Sequence, residues 1–178
     1  RVIGRGWHKK FGGSHAEIEA LADCKKRGND PAGATMYVTL EPCCHYGKTP
    51  PCTKSIIAAK IGKVVIAAGD PSSHARGRGL KQLRTAGIEI VTGVCENDAK
   101  LLNAPFMKFA STGKCWVILK WAQSKDGKMG WIVKNRRWIS SRASRRDVHK
   151  IRRRVQTILV GIKTVLADDP LLTVRPEK

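Results

Sequence analysis

The stretch LEPCCHYGKTPPC, residues 40–52, places three of the chain's six cysteines within ten positions. Such a cluster is compatible with a disulfide, with a closed structural zinc site or with an open catalytic zinc site. The sequence shows neither a basic-then-apolar export signal nor a run of about 18 apolar residues. We therefore expect a cytoplasmic protein without a membrane span, where clustered cysteines are more often metal ligands or reactive thiols than disulfides.

An open zinc site takes three protein ligands and leaves a fourth position for water. Cys43 and Cys52 offer two thiolates, and His15, in the motif HAE, is the leading candidate for the third ligand. Glu17 would bring a carboxylate beside the metal, suited to take a proton from water and give it to a leaving amine. His-x-Glu followed by Pro-Cys and a later Cys is the signature of zinc nucleobase deaminases. Both ligand groups fall at predicted helix starts, which also stabilise thiolates.

A closed structural site is the main alternative, because Cys43, Cys44, Cys52 and His45 would supply four ligands. The spacing is not that of a zinc ribbon or finger, and we predict that Cys44 is not a ligand. Eight residues, rather than two, separate Cys43 from Cys52, and Lys48 in this longer loop could meet a phosphate or remain solvated. The remaining cysteines are predicted to be small core residues: Cys24, Cys95 and Cys115.

Strand-like and helix-like segments alternate along the first part of the chain. Strands are expected at 2–8, 34–40, 63–69 and 88–94, with helices at 14–26, 53–61 and 79–87, the first capped by Ser14. This alternation indicates a mostly parallel α/β sheet. Residues 97–110 resemble a helix that runs into a linker. A second unit from about Lys114 has predicted strands at 115–123, 137–140 and 157–161 and a helix at 141–155.

Basic residues outnumber acidic residues by 34 to 14, which gives a formal charge of +20. Residues 1–110 carry a net charge of +8, whereas the shorter stretch 111–178 carries +12. A balance of this kind attracts polyanions, either nucleic acids or phosphorylated small molecules. The uneven distribution indicates two units with different partners.

Long motifs in both halves resemble one known family. TLEPCCHYGKTPPC with GGSHAE upstream, and LKWAQSKDGKMG followed by RWISSRASRRDVHKIRRRVQTILVGIKTVLADDPLLTVR, are similar to the bifunctional deaminase–reductase of riboflavin biosynthesis, from Val2 to Arg175. The resemblance implies a cytidine-deaminase-like three-layer α/β/α sandwich at 1–110, followed at 111–178 by the first part of a dihydrofolate-reductase-like α/β domain. We expect the chain to lack the beginning of the first domain and the end of the second.

The resemblance also implies two consecutive reactions. Zinc-dependent hydrolysis would deaminate 2,5-diamino-6-(5-phosphoribosylamino)pyrimidin-4(3H)-one, and NADPH would then reduce its ribosyl group to ribityl. In this interpretation His15, Cys43 and Cys52 bind Zn²⁺, and Glu17 is the catalytic proton shuttle. The implied NADPH contacts are Ala122, Trp138, Thr164 and Asp168, and the implied substrate contacts are Lys120, Arg152, Leu172 and Arg175.

Two other functions fit parts of the sequence: a zinc deaminase acting on a nucleic-acid base, and a non-enzymatic zinc-stabilised module that binds nucleic acid. Ten basic residues between Lys134 and Arg154 favour either one. Val148, Ile151 and Val155, however, form an apolar face suited to packing on a sheet. The family motifs also account for this segment without nucleic acid, so the resemblance implies a phosphorylated pyrimidine as the partner, with neither nucleic acid nor a membrane. A homo-oligomer is compatible with the sequence. We assign no role to Arg136.

Overall fold

A computed structural model describes residues 1–73, 75–129 and 138–175. The chain divides into two compact units, Arg1–Val117 and Ile118–Lys178. The boundary predicted from the sequence, between residues 110 and 111, falls inside a helix of the first unit, Ala104–Thr112. The assignment of residues 1–110 and 111–178 to two functional domains stays a prediction.

The first unit is built on three parallel strands in the order β1-β2-β3. Helices connect consecutive strands, as parallel pairing requires. The strands are β1 (Thr35–Leu40), β2 (Lys63–Ala68) and β3 (Glu89–Thr92), and the helices are α1 (Ala16–Lys26), α2 (Cys52–Ala58), α3 (Arg78–Thr85), α4 (Glu96–Leu102) and α5 (Ala104–Thr112). These strands, α2 and α3 confirm the α/β architecture predicted from the alternating pattern.

The core of this unit lies between the sheet and the helices α2 and α3. Val64 and Ile66 of β2 are fully buried and pack with Ile56 of α2 and Leu83 of α3. Val65, which points to the opposite face because side chains alternate along a strand, is also buried. Since α4 contacts β2 as well, the central strand is covered on both faces, which explains its continuous apolar sequence.

The segment before α1 runs along that helix without forming the predicted strand. A Cβ atom on Gly4 would come within 2.5 Å of the Ala20 carbonyl oxygen, and one on Gly6 within 2.3 Å of the Ala16 carbonyl oxygen. Only glycine permits so close an approach of two backbones. The predicted helix cap is also wrong by one residue, because His15, not Ser14, precedes the first helical residue.

The described part of the second unit contains two helices, α6 (Arg142–Arg154) and α7 (Ile162–Asp168). Ser141 caps α6 by accepting a hydrogen bond from the Ser144 amide at 3.2 Å. The predicted strands at 115–123 and 157–161 are wrong, as is the strand at 137–140 over its described part, residues 138–140. Their composition suits strands, but no neighbouring strand pairs with them in the described residues. Leu119 and Leu159 consequently stay 81% and 94% exposed.

Three smaller predictions also differ from the structure. Residues 97–110 belong to two helices, α4 and α5, which Asn103 separates. Cys24 is buried as predicted, whereas Cys95 and Cys115 are exposed and are not core residues.

Of the helices in the described ranges, none is both long enough and apolar enough to cross a membrane.

Candidate active site

The structure brings together the three residues predicted to bind zinc. The Nδ1 atom of His15 lies 3.4 Å from the Cys43 sulfur and 3.3 Å from the Cys52 sulfur. All three candidate ligand atoms lie within 4.8 Å of one another. Around a tetrahedral zinc ion, a nitrogen and a sulfur ligand would be about 3.5 Å apart, given the usual bond lengths. One imidazole and two thiolates therefore fit zinc in both distance and ligand chemistry.

The secondary structure explains how residues distant in sequence meet here. Cys43 follows the carboxyl end of β1, Cys52 is the first residue of α2, and His15 directly precedes α1. In an open α/β sheet, strand carboxyl ends and helix amino ends meet at one edge, which is where ligands bind. Pro51 precedes α2 with an extended backbone and lets the helix start at the cysteine itself.

Hydrogen bonds shift the pKa values of the two cysteine thiols in opposite directions. The Cys52 thiol donates to the Cys43 sulfur, and the Cys52 backbone N–H donates to it at 3.2 Å. These contacts with Cys52 lower the pKa of Cys43 to about 5. The same thiol–thiolate hydrogen bond raises the pKa of Cys52. Hydrogen bonding thus favours the thiolate form of Cys43, which is the form that binds zinc.

Glu17 is the buried carboxyl group of this site. Its side chain is 9% exposed, and burial raises its pKa above the usual range. A carboxyl group with a raised pKa beside a candidate metal site is suited to accept and return a proton near neutral pH.

Residues of the loop between the two cysteines line the same cavity as two of the candidate ligands. The Lys48 ammonium group is 4.0 Å from the centre of the Phe11 ring, a cation–π contact. His8 meets the His15 ring edge-on, with 5.5 Å between ring centres, and its Nδ1 atom is 3.0 Å from the Ser14 carbonyl oxygen. These side chains line the same open cavity as His15, Glu17 and Cys43.

Predicted site residues of the second unit are spread over several segments. Lys120 and Ala122 lie in an irregular segment, and Trp138 precedes α6 with 60% of its surface exposed. Thr164 and Asp168 lie one turn apart on α7, not after a strand as predicted. In the part of the chain that the structure describes, no hydrogen bond or ion pair joins Ala122 to either of them. Arg136 lies outside the described residues.

Two predicted substrate contacts do converge. Arg152 donates from Nη1 to the carbonyl oxygens of Leu171 at 3.2 Å and Thr173 at 3.3 Å. Arg175 donates from Nη2 to the Leu171 carbonyl oxygen at 3.4 Å. Leu172 lies within this turn and is partly buried. The segment 171–175 thus holds both guanidinium groups near one carbonyl oxygen.

Sequence reasoning assigned no role to two residues that organise these sites. Glu41 is buried beside Cys43 and accepts hydrogen bonds from the first turn of α3. The His149 ring accepts a hydrogen bond from the Arg175 backbone N–H at 3.1 Å and so ties segment 171–175 to α6. The position of Glu41 between Leu40 and Pro42, inside the cysteine motif, was the only available signal for it.

Comparison with known families gives two matches along the chain. Residues 1–68 match the model for the cytidine and deoxycytidylate deaminase zinc-binding region. This range contains the three candidate zinc ligands and Glu17. Residues 115–178 match the model for the RibD C-terminal domain. The riboflavin biosynthesis protein RibD of Aquifex aeolicus is 46% identical over 98% of this chain. The chain belongs to the RibD family.

Other RibD proteins agree over the same span. RibD of Escherichia coli is 43% identical over 98% of the chain. The structure of the deaminase/reductase from Thermotoga maritima is 43% identical over 97% of the chain with a TM-score of 0.91, and Acinetobacter baumannii RibD, form 1, is 44% identical over 98% with a TM-score of 0.88. The chain spans about half the length of the RibD relatives that it matches: 48% of the Aquifex protein, 47% of the Escherichia protein, 49% of the Thermotoga chain and 48% of the Acinetobacter chain.

Proposed function

We propose that the first unit is a zinc-dependent deaminase of riboflavin biosynthesis acting on 2,5-diamino-6-(5-phosphoribosylamino)pyrimidin-4(3H)-one. The observation that carries the proposal is the meeting of His15, Cys43 and Cys52 around one point, with buried Glu17 beside them. The Thermotoga relative supports this substrate, because its name describes a diaminohydroxyphosphoribosylaminopyrimidine deaminase.

In this proposal His15, Cys43 and Cys52 would hold the zinc ion and Glu17 would move protons. When bound, zinc supplies a Lewis acid that makes a water molecule acidic enough to react at neutral pH. Glu17 would accept a proton from the attacking water and donate it to the departing nitrogen. Water oxygen replaces the ring amino group, one C–N bond breaks, and ammonia leaves.

We further propose that the second unit contributes to an NADPH-dependent reductase that converts the ribosyl group to ribityl. The convergence of Arg152 and Arg175 on segment 171–175 supports this role, because forked guanidinium groups are suited to a sugar phosphate. Leu172 and Lys120 would complete the substrate contacts. NADPH would lie against Ala122, Trp138, Thr164 and Asp168.

Product mass tests both proposals. The protein with zinc is incubated with the diaminopyrimidine ribotide, first without and then with NADPH. We expect the deaminated ribotide without NADPH and its ribityl form once NADPH is added. Unchanged substrate in both incubations would contradict the first proposal, and deamination without subsequent reduction would contradict the second.

A further inference from the structure

We propose that Glu41 is a positioning residue for Cys43: its buried carboxylate, bound by the first turn of α3, fixes the ligand segment 42–43 in the geometry that zinc requires. This inference rests on the proposed zinc site. It assigns a task to a charged side chain that neither binds the metal nor moves a proton in the reaction.

Glu41 is a carboxylate in an environment where an ion is costly. Its side chain is 5% exposed, and within the described residues no lysine or arginine forms an ion pair with it. An isolated buried charge is strongly unfavourable unless hydrogen bonds replace its hydration. A glutamate at such a place therefore depends on donors that the fold supplies.

Four backbone amides supply those donors. Oε1 accepts from the N–H groups of Gly79 at 3.1 Å and Leu80 at 3.4 Å. Oε2 accepts from the N–H groups of Gly77 at 3.1 Å and Asp70 at 3.4 Å. Three of these amides belong to the start of α3, where N–H groups have no partner within the helix and the helix dipole favours a negative charge.

The contact also fixes the backbone that leads to the candidate ligand. The Glu41 N–H donates to the Ala68 carbonyl oxygen at 2.9 Å, which extends the pairing of β1 with β2. On the other side, a Cβ atom on Gly79 would lie 2.3 Å from the Pro42 carbonyl oxygen and 3.2 Å from Oε1 of Glu41. Helix α3 therefore touches the chain directly before Cys43, and only glycine fits at the contact.

Helix α2 holds Cys43 from the other direction. The Thr53 N–H donates to the Cys43 carbonyl oxygen at 3.1 Å, and the Thr53 hydroxyl donates to Oε1 of Gln82 at 2.8 Å. Because Gln82 belongs to α3, one hydrogen-bonded frame joins both helices to the ligand segment. Glu41 is the ionic part of this frame, and its loss would let Cys43 move relative to Cys52 and His15.

Zinc affinity of the purified chain, measured in competition with a chelator of known affinity, tests the inference. Glu41→Gln keeps the shape but turns an NH₂ group toward amide donors. We expect its zinc affinity to fall about 10- to 100-fold, as for partners that orient metal ligands. The visible spectrum of the Co²⁺-loaded variant should change as well, because it reports ligand geometry. An unchanged affinity and spectrum would overturn the inference.

Gly79→Ala approaches the same contact from α3. Alanine favours helices more than glycine does, yet its Cβ would displace Pro42 or Glu41. We expect weaker zinc binding here too, which keeps the inference testable should Glu41→Gln not fold. Wild-type affinity in Gly79→Ala would count against it.

Leu83→Ala is the matched control, since it removes a fully buried core side chain of α3 away from the ligands. It should lower the thermal midpoint of the zinc-free chain while leaving zinc affinity unchanged at temperatures where the chain is folded. If zinc affinity in all three variants simply followed the thermal midpoint, Glu41 would have a stability role only. If the wild-type chain bound no zinc, the proposed function would fall, and this inference with it.

Discussion

In the first unit, the four residues predicted to bind zinc and transfer protons lie in one compact site. In the second unit, the eight residues predicted to bind NADPH and substrate are distributed over several segments, and five of them are exposed. Two of them, Arg152 and Arg175, donate hydrogen bonds to the same carbonyl oxygen, that of Leu171. The two units belong to the same chain and were predicted from motifs of similar length.

The difference reflects what each kind of site requires. A metal site needs three side chains within a few ångströms of one point, and three short contacts at helix and strand ends are enough to define it. A cofactor site needs a surface assembled from several segments that pack into a layer. In the described second unit, the predicted strands lack partners, so the layer that would assemble those segments is not formed. The following tests address this contrast, beginning with the largest expected effect.

Loss of either cysteine ligand should have the largest effect. Cys43→Ala and Cys52→Ala should each reduce bound zinc from about one ion per chain to almost none, because two protein ligands cannot hold the ion tightly. Metal analysis after dialysis against a weak chelator measures this. Cys44→Ala is the neighbouring control and should keep its zinc. Full zinc occupancy in both ligand variants would mean that the site lies elsewhere.

Removing the proton acceptor should affect chemistry without affecting the metal. Glu17→Gln keeps the side-chain shape, so zinc content should remain, while the deamination rate should fall by about 100-fold or more. The rate of ammonia release measures the effect. Glu19→Gln, which changes the partly buried ion-pair partner of Lys9 two positions away, should deaminate normally. Deamination at the normal rate by Glu17→Gln would refute the proposed role.

A smaller and more selective effect is expected in the second unit. Arg152→Lys in the protein should slow the NADPH-dependent step about 10-fold, since lysine lacks the forked donors, and should leave deamination near normal. Product ratios with and without NADPH measure both steps. Arg153→Lys, which changes the exposed arginine next to Arg152, is the control.

The salt dependence of DNA binding distinguishes the proposed reductase from a nucleic-acid-binding surface. Binding to duplex DNA through summed charge would fall linearly on a log–log plot against salt, with a slope of about −0.9 per phosphate contacted. Tight binding of this kind, together with no NADPH-dependent product, would favour a deaminase acting on nucleic acid.

The smallest effect is expected on the stability of the first unit, at a hydrogen bond between α1 and the segment before it. Asp23 accepts a hydrogen bond from the Arg5 backbone N–H at 2.8 Å, and this contact lowers the pKa of its carboxyl group. A depressed pKa in the folded state stabilises the fold above the unfolded value, about 3.9, and the gain is lost as the pH falls through the lower folded value. Asp23→Asn should therefore lower the thermal midpoint slightly at pH 7 and have no effect in strong acid. Asp147→Asn, which changes an exposed residue of α6, is the control. An equal decrease at both pH values would argue against this ionic contribution.

Local patterns were sufficient wherever the interaction they encode is local or repeated. The run KVVIAAG predicted a buried strand, which the structure shows as β2, and Gly87 follows α3 with a positive φ of 80°, a conformation that ends helices. The spacing of HAE, PCC and the later cysteine predicted which residues meet, because ligand chemistry restricts the residue types and α/β topology restricts their position.

Patterns failed where the outcome depends on a partner distant in sequence. Residues 115–123 have the composition of a strand, but a strand exists only when another strand accepts its hydrogen bonds. Cys95 was expected in the core because cysteine is often buried, yet it lies in a left-handed turn at the start of α4 and is exposed. Neither difference can be read from the residues themselves.

The sequence by itself determined the parallel α/β class, the family and the identity of the residues in the candidate zinc site, since these follow from periodicity, motif and residue chemistry. Only the tertiary structure decided that Glu17 is buried beside the cysteines, that Cys43 has the lower thiol pKa, and that Glu41 accepts the amides of α3. Burial and hydrogen-bond geometry depend on elements up to 39 residues apart, as between Glu41 and Leu80. Such contacts arise from packing, and no local pattern encodes them.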